Sequence, residues 1–396
     1  MPVIETAVAL CAVGAEKIVS NEIKKLGLTV CDTNYGKVRF KTDLAGLYRS
    51  LIGLRAADRV LLELAWFPAS DFDELFEGIR RQPWEAYIAP HMGLKVTKVR
   101  TNRSKLEAET SIQAVVHKAA ADRICSKRGM NRLPENGEEA ELRVYIEKDQ
   151  ASALLDLSGV PLFKRGYRIR GGTAPLRETT AAAIILYSGW RRKFPLYDPF
   201  CGSGTIAIEA AMYAWDIAPG VGRHFALEQL LIGDKKIERN VREEFLEKPD
   251  FSRLVRIGGS DSDIAAVTAA RENLERAAAI ADRKRGAPGK LPSFRVIPME
   301  EASPPPEFLD NTGENKSEAA GFIITNPPYG HRLGDTESAE KNYAEMNCLC
   351  SHFPGWKLVV ITDHPGFESF FGRKADSCRE ITNGAIHSYL YQYEEL

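Results

Sequence analysis

From Pro195 the chain reads Pro-Leu-Tyr-Asp-Pro-Phe-Cys-Gly-Ser-Gly-Thr and passes at once into Ile-Ala-Ile-Glu-Ala-Ala, ending at Ala211; no other stretch restricts the fold as tightly. A short apolar strand ends in Asp198, turns on Gly202 and Gly204, and becomes a helix. This order predicts a βα unit with a ligand at its loop. Glycine permits positive φ and close backbone approach, and the first helical turn offers amides with no partner in the helix. The spacing Gly202-x-Gly204-x-x-Ala207 also fits a dinucleotide fold. Such a site expects a ribose-binding carboxylate about 20 residues beyond the glycines. Here Ala214 to Phe251 reads as an insertion, and the strand-then-acid pattern arrives only at Leu254 to Asp261. Asp261 is then placed to accept both ribose hydroxyls of a bound nucleoside, with Ser262 or Asp263 capping the helix that follows to Ala279.

A third strand, Phe294 to Glu300, ends in acids, of which Glu300 or Glu301 is placed to meet an adenine amine. Residues 302–319 are rich in Pro, Glu and Asn and read as a surface loop. The apolar run Gly321 to Thr325 then delivers Asn326-Pro327-Pro328-Tyr329, an amide, two stiff residues and an aromatic ring at a strand mouth. That combination suits a flat group bearing an amine. Two acceptors, the Asn326 side-chain oxygen and a backbone carbonyl for which Pro327 is the natural choice, would bind both N–H groups and aim the nitrogen lone pair. Proline fixes φ and keeps that carbonyl aimed, and Tyr329 would stack on a base that has left its helix. Cys201 lies in the glycine loop, away from this clamp, and reads as a small buried thiol. Downstream, Thr336 to Cys350 reads as a helix, Trp356 to Thr362 as a strand, and Ile386 to Tyr393 as an antiparallel edge strand.

The first 170 residues carry 27 Lys+Arg against 22 Asp+Glu, leaving 26 against 32 for the remainder. The basic surplus gathers in groups around Lys95–Lys105, Lys118–Arg132 and Lys164–Arg170, which is the footprint of a polyanion partner. Strand and helix patterns from Val3 to Leu64 suggest a small α+β unit, with Asp43 capping a helix that runs to about Leu51. A helix from Phe72, a strand at Leu94 to Arg100, a helix from Ser111 to Cys125 and a strand pair at Glu141–Glu147 and Ala151–Ser158 follow. No aromatic residues are interleaved with the cations of Lys95 to Arg128, so recognition of the shape and backbone of structured RNA is expected there, rather than stacking of single strands. The glycine-rich basic run Lys164 to Pro175 reads as a linker into a helix spanning Ala181 to Trp190.

The pairing of Asp198-Pro199-Phe200-Cys201-Gly202-Ser203-Gly204 with Asn326-Pro327-Pro328-Tyr329 resembles the S-adenosylmethionine-dependent amino-methyltransferases. The basic front half, Leu176-Arg177-Glu178-Thr179 and the ending Asn383-Gly384-Ala385-Ile386 through Tyr393 narrow the resemblance to the THUMP-containing RNA guanine-N2 methyltransferases of large-subunit rRNA type. What the resemblance implies is an α/β chain: a Rossmann-like seven-stranded methyltransferase domain at 176–396, behind a ferredoxin-like domain at 1–65 (with part of 150–165), a THUMP domain at 66–160 and a linker at 161–175. It implies S-adenosylmethionine as cofactor, with Asp198, Gly202 and Gly204 at its methionine end, Asp261 at the ribose and Glu300 at the adenine. Cys201, Thr205, Ser262, Asn326, Arg177 and Glu178 complete the expected pocket, and Asn326 through Tyr329 hold the target base. Lys98, Arg100, Arg103, Lys105, Lys118, Arg128 and Arg332 are the expected RNA contacts. Met299-Glu300-Glu301 departs from the family's usual Asp and leaves the register open by one.

Other classes weigh less. An NAD(P)-dependent oxidoreductase fits the glycines but not the clamp, a non-catalytic RNA-binding protein fits the charge but not two complete motifs, and a tRNA methyltransferase shares the chemistry. Seven scattered cysteines form no C-x-x-C pair, so reduced thiols are expected. Cys348-x-Cys350-x-His352 lacks a nearby fourth ligand, so no metal is expected. Apolar runs fall short of the roughly 20 residues of a membrane span, and the first residues do not read as a signal peptide, so a cytoplasmic protein is expected.

Overall fold

The computed structural model describes residues 6–135, 137–168, 176–281, 291–308, 321–329 and 336–396. Two seven-stranded sheets organise them. The front sheet contains β1 (Thr6–Cys11), β2 (Thr29–Asn34), β3 (Lys37–Lys41), β4 (Ala57–Pro68), β5 (Gly93–Asn102), β6 (Glu139–Glu147) and β7 (Gln150–Asp156), in the order β2-β3-β1-β4-β7-β6-β5. Helices α1 (Glu16–Lys25), α2 (Leu44–Gly53), α3 (Phe72–Arg80) and α4 (Glu109–Arg128) accompany it. As expected, Asp43 caps α2, its carboxylate accepting from the Gly46 amide at 2.7 Å. Alternation sends Ala7, Ala9, Val38, Phe40, Val60 and Leu62 into the core. β4 pairs with β1 on one side and β7 on the other, so a single strand runs through the expected division at residue 65.

The second sheet contains β8 (Leu196–Asp198), β9 (Ile257–Asp261), β10 (Ser293–Val296), β11 (Phe322–Thr325), β12 (Lys357–Thr362), β13 (Ser377–Asn383) and β14 (Ile386–Tyr393), in the order β10-β9-β8-β11-β12-β14-β13. The first five are mutually parallel, and β14 runs antiparallel between β12 and β13. The terminal strand is therefore not the edge that its alternation suggested. β13 is the edge, and its polar sequence Ser-Cys-Arg-Glu-Ile-Thr-Asn, exposed at Cys378, Arg379 and Glu380, hid it. Helices α5 (Glu178–Tyr187), α6 (Thr205–Ala214), α7 (Lys235–Leu246) and α8 (Ile264–Ala281) belong to this half, followed by α9 (Thr336–Glu345), α10 (Leu349–His352) and α11 (Phe367–Phe371). The expected helix to Cys350 thus ends at Glu345 and continues as short turns. No helix among the described residues is long and apolar enough to cross a membrane.

The two halves share one hydrophobic core. The insertion between α6 and β9 holds them together: α7 packs on α2, Gly220 N–H donates to Ile52 O at 2.9 Å, Leu231 N–H to Tyr87 O at 2.8 Å, and Leu227 N–H to Leu157 O at 3.1 Å. The described part of the expected linker is no tether. Arg165 is buried, donates to Leu162 O at 2.8 Å and to Arg55 O, and pairs with buried Glu209 at 3.4 Å, while Tyr167 O–H donates to the same carboxylate at 3.1 Å. Removing one partner of a buried ion pair strands the other charge, which costs about 3–5 kcal/mol. Glu209→Ala should therefore lower the urea midpoint by an amount equivalent to about 3 kcal/mol, and Arg165→Met with Glu209→Leu should recover most of that loss.

Candidate functional site

The site lies where β8 and β11 part. They register over only two pairs, Phe322 with Leu196 and Ile323 with Tyr197. Beyond these, the Thr325 hydroxyl donates to Asp198 Oδ1 at 2.7 Å, and the same oxygen accepts from the Phe200 amide at 3.1 Å. β8 is flanked by β9 and β11, both later in the chain, so this is a switch point of an open α/β sheet, where ligands bind at the carboxyl ends of strands. Asp198 is buried, and burial pushes its carboxyl up to about 7, with nearby Asp261 adding to the shift.

The glycine loop is fixed from below and open above. Gly202 and Gly204 have φ of +50° and +83°. A Cβ on Gly204 would lie 3.0 Å from both Ala270 Cβ and Phe294 Cζ, whereas one on Gly202 would meet nothing within 4 Å. That side of the loop is open space. Gly259 in β9 lies under the loop, where a Cβ would stand 2.7 Å from Cys201 Cβ and 2.9 Å from Asp198 O. The Cys201 amide donates to Ser260 O at 2.9 Å, and Asn273 Nδ2 donates to Ser203 O at 3.0 Å. Burial, with Asp198 and Asp261 nearby, pushes the Cys201 thiol far up and keeps it protonated. α6 begins at Thr205, directing its free first amides at the loop mouth.

Asp261 ends β9, as its pattern predicts. Oδ2 accepts from the Gly202 amide and Oδ1 from the Asp263 amide, both at 3.0 Å, and each oxygen keeps a further lone pair for a ligand hydroxyl. Ser262 is exposed beside it, and Glu300 is exposed in a single turn, Met299–Glu301, after β10. The first residue of the clamp, Asn326, follows β11 directly. Its Oδ1 is buried and has no hydrogen-bond partner among the described residues. A buried amide oxygen left unmatched costs free energy unless a donor arrives. Pro327 and Tyr329 are buried, and the Pro328 carbonyl accepts from Tyr343 O–H at 3.3 Å.

Arg177 and Glu178 serve the seam between the halves. The Arg177 guanidinium donates to Asp58 at 2.9 Å and lies over Phe163, and Glu178 pairs with Arg168 at 3.4 Å. Arg168 also donates to the Thr205 hydroxyl at the start of α6, so this seam touches the glycine loop. Of the expected cations, Lys98 is half-buried and Arg100, Arg103, Lys105 and Lys118 are exposed, on β5, the loop after it and α4. Arg100 lies 3.9 Å from Glu109. Arg128 is occupied internally, its guanidinium donating to the carbonyls of Glu85, Ile88 and Ala89. Arg332 lies outside the described residues. No cluster of three metal-ligating side chains occurs among the described residues, and His352 Nδ1 lies 3.0 Å from Ala302 O. Thr325, Gly259 and Asn273 were not anticipated. Paired glycines in a strand and a buried Asn in an apolar helix were the available signals.

A family model described as the RMKL-like methyltransferase domain matches residues 165–283 and 309–392, an RlmL ferredoxin-like domain matches 6–61, and a THUMP domain matches 69–156. YpsC of Bacillus subtilis (strain 168), named as a candidate RNA methyltransferase, is 35% identical over 98% of this chain and 95% of its own length. The Cellvibrio japonicus ribosomal RNA large subunit methyltransferase K/L is 32% identical over 97% of this chain but 50% of its own length, so the chain spans about half of that relative. The crystal structure of SMU.472 complexed with SAH superposes with a TM-score of 0.85 at 34% identity, over 100% of this chain and 99% of that one.

The position of Asp198 has a consequence for stability. Its carboxyl titrates near 7 when folded, against an ordinary value of 3.8. The folded chain thus holds a proton that the unfolded chain releases, and the Asp198 contribution makes the protein less stable as pH rises from about 4 to about 7. Asp198→Asn should flatten that part of the stability profile, by a difference on the order of 4 kcal/mol at neutral pH, measured as urea midpoints from pH 4 to pH 8 beside the parent.

Proposed function

Because this chain belongs to the RMKL-like methyltransferase family, whose cofactor is S-adenosylmethionine, we propose that it is an RNA methyltransferase acting on the exocyclic N2 amine of a guanosine in structured RNA, large-subunit ribosomal RNA foremost. The observation that carries this reading is the buried Asn326 Oδ1 at the mouth of β11, beside the glycine loop and without a hydrogen-bond partner among the described residues. An oxygen in that state calls for a donor, and an exocyclic amine supplies one.

The residues fit the cofactor. The open space over Gly202, the free amides of α6, the remaining lone pairs of Asp261 and the buried carboxyl of Asp198 form a cradle with the polarity of a nucleoside at one end and an amino acid at the other. When bound, S-adenosylmethionine supplies an electrophilic methyl group on a sulfonium. Asn326 Oδ1 and the Pro327 carbonyl accept the two N–H groups of the base and turn its lone pair out of conjugation with the ring. Both acceptors also favour the positive charge that develops on nitrogen, and orientation provides much of the acceleration. Tyr329 is buried in the free chain, so its ring would have to be uncovered for a base to stack on it. No covalent nucleophile is required, in keeping with a Cys201 thiol held protonated.

Asn326→Ala should lower kcat at least about 100-fold while leaving S-adenosylmethionine affinity by titration calorimetry within about twofold; a normal rate would overturn the clamp. Incubating the protein and labelled cofactor with total RNA from cells lacking it should yield N2-methylguanosine in the ribosomal fraction. Label in tRNA would reassign the RNA, and N6-methyladenosine would reassign the base.

A further inference from the structure

The front sheet has a second face. One face is covered by helices, while the other carries a small apolar cluster of Val8, Leu61 and Leu154, with Leu10 and Tyr145 packed against it. Beside this cluster opens a cavity of about 350 Å³ whose walls include Trp66, Ser152 and Tyr145. Register explains its shape. Trp66 of β4 pairs with Ser152 of β7, and Ser152 pairs with Tyr145 of β6. Three neighbouring strands thus present aromatic, small, aromatic in one row. Strands stand about 4.8 Å apart, so the outer two positions are separated by about 10 Å. Trp66 and Tyr145 line the cavity from positions on either side of Ser152, and a flat group sandwiched between two rings needs about 7 Å between their planes, two contact distances of about 3.5 Å each. Trp66 is 63% exposed, and Tyr35, at 81%, sits on the turn between two other lining residues, Asn34 and Lys37.

The charges sort by position. Three carboxylates of the lining, Asp32, Glu63 and Glu147, stand against three cations, Lys37, Arg39 and Lys148, so the formal charges sum to zero; Arg39 lies on both Glu63 and Asp32, and Lys37 lies 3.4 Å from Glu147. The slot is suited to a neutral group. At its rim stands Lys148, exposed and with no ion-pair partner among the described residues. The Lys148-Asp149 turn, with φ of +53° and +59°, is bonded to the cationic loop after β5: Lys148 N–H donates to Asn102 O at 3.0 Å, and Asp149 Oδ1 accepts from Ser104 O–H at 2.9 Å and from the Lys105 amide at 2.8 Å. The same turn holds the end of β4, Ala69 N–H donating to Asp149 O at 2.8 Å. Thus one turn joins the aromatic slot to exposed Arg103 and Lys105.

We propose that this slot is a binding site for an unpaired nucleobase of the RNA, sandwiched between Trp66 and Tyr145, with flanking phosphates on Lys148, Arg103 and Lys105. It rests on the RNA reading above and lies on a sheet separate from the methyl-transfer site. A stacking slot without net charge, bordered by the exposed cations Lys148, Arg103 and Lys105, matches the alternation of neutral base and charged phosphate along a single strand. The reading of Lys95 to Arg128 as cations without aromatics holds along the chain, and strand pairing supplies aromatics from elsewhere.

The test uses the full chain and a short single-stranded oligoribonucleotide, with a blunt RNA duplex of equal length as control. Trp66→Ala should weaken binding of the single strand about tenfold, Trp66→Phe should retain most of it, and Ser152→Phe, which fills the slot, should match Trp66→Ala. Duplex binding, circular dichroism and S-adenosylmethionine affinity should not change. Equal single-strand affinity in the parent, Trp66→Ala and Ser152→Phe overturns the slot. If the parent methylates RNA with a KM that Trp66→Ala leaves intact, the slot falls and the catalytic reading stands. If no RNA is methylated but single-strand binding depends on Trp66, the catalytic reading falls and the slot stands.

Discussion

The hydroxyl of Thr325 resting on the Asp198 carboxylate is the contact on which the site depends. β8 and β11 stop pairing two residues before it, so the strands part there and a crevice opens between them. Without a bridge, the glycine loop after β8 and the clamp after β11 would be positioned independently. With it, the two motifs move as one unit. The same carboxylate orients the loop through the Phe200 amide, and Gly259 admits the loop from below because only a missing Cβ leaves room for Cys201. A burial cost on Asp198 is what this joint requires, and it appears as a carboxyl pushed up to about 7.

A second constraint operates at larger scale. On the proposed reading, one sheet grips RNA and the other carries the site of methyl transfer, so the two must be kept in register. Here that is done by the insertion after α6, by Arg165 and Glu209 in the seam, and by Arg177 on Asp58. Arg168 extends the seam to Thr205, at the first turn of the helix after the glycine loop. Sheet position and loop position are therefore connected through buried charge-assisted hydrogen bonds, which tolerate little slippage because each stranded partner is costly.

What could be read from the residues divides along physical lines. Asp198, the glycines, Asp261 and the strand before Asn326 were legible because strand ends, turns and helix starts have local chemical requirements that residue types betray. β13 was not, since a polar edge strand lacks the alternation that marks burial. The roles of Arg177 and Arg128 were also hidden: both are basic residues in basic neighbourhoods, and only the fold reveals that one stands over Phe163 against Asp58 while the other satisfies three carbonyls. The row Trp66–Ser152–Tyr145 was invisible for a further reason. Its members come from three strands, and their adjacency is a property of register, with a bulge between Glu63 and Ala65 setting which face Trp66 takes.

The amide at position 326 can be understood from its electrostatic surroundings. A carboxylate there would seem the better partner for an amine that becomes cationic as it is methylated. It would, however, sit one residue beyond Thr325, whose side chain already leans on Asp198, and Asp261 is close enough to raise Asp198 further. A third acid in that crevice would be driven toward its protonated form by burial and by its neighbours, and would then present a donor where an acceptor is needed. A neutral amide oxygen avoids that outcome. Its partial charge is independent of pH, and on the proposed reading it accepts from the amine at every stage, with an attraction that grows as positive charge builds on nitrogen. The unmatched Asn326 Oδ1 is in this sense the counterpart of Asp198: one group spends burial on holding the crevice together, the other on holding an acceptor in readiness.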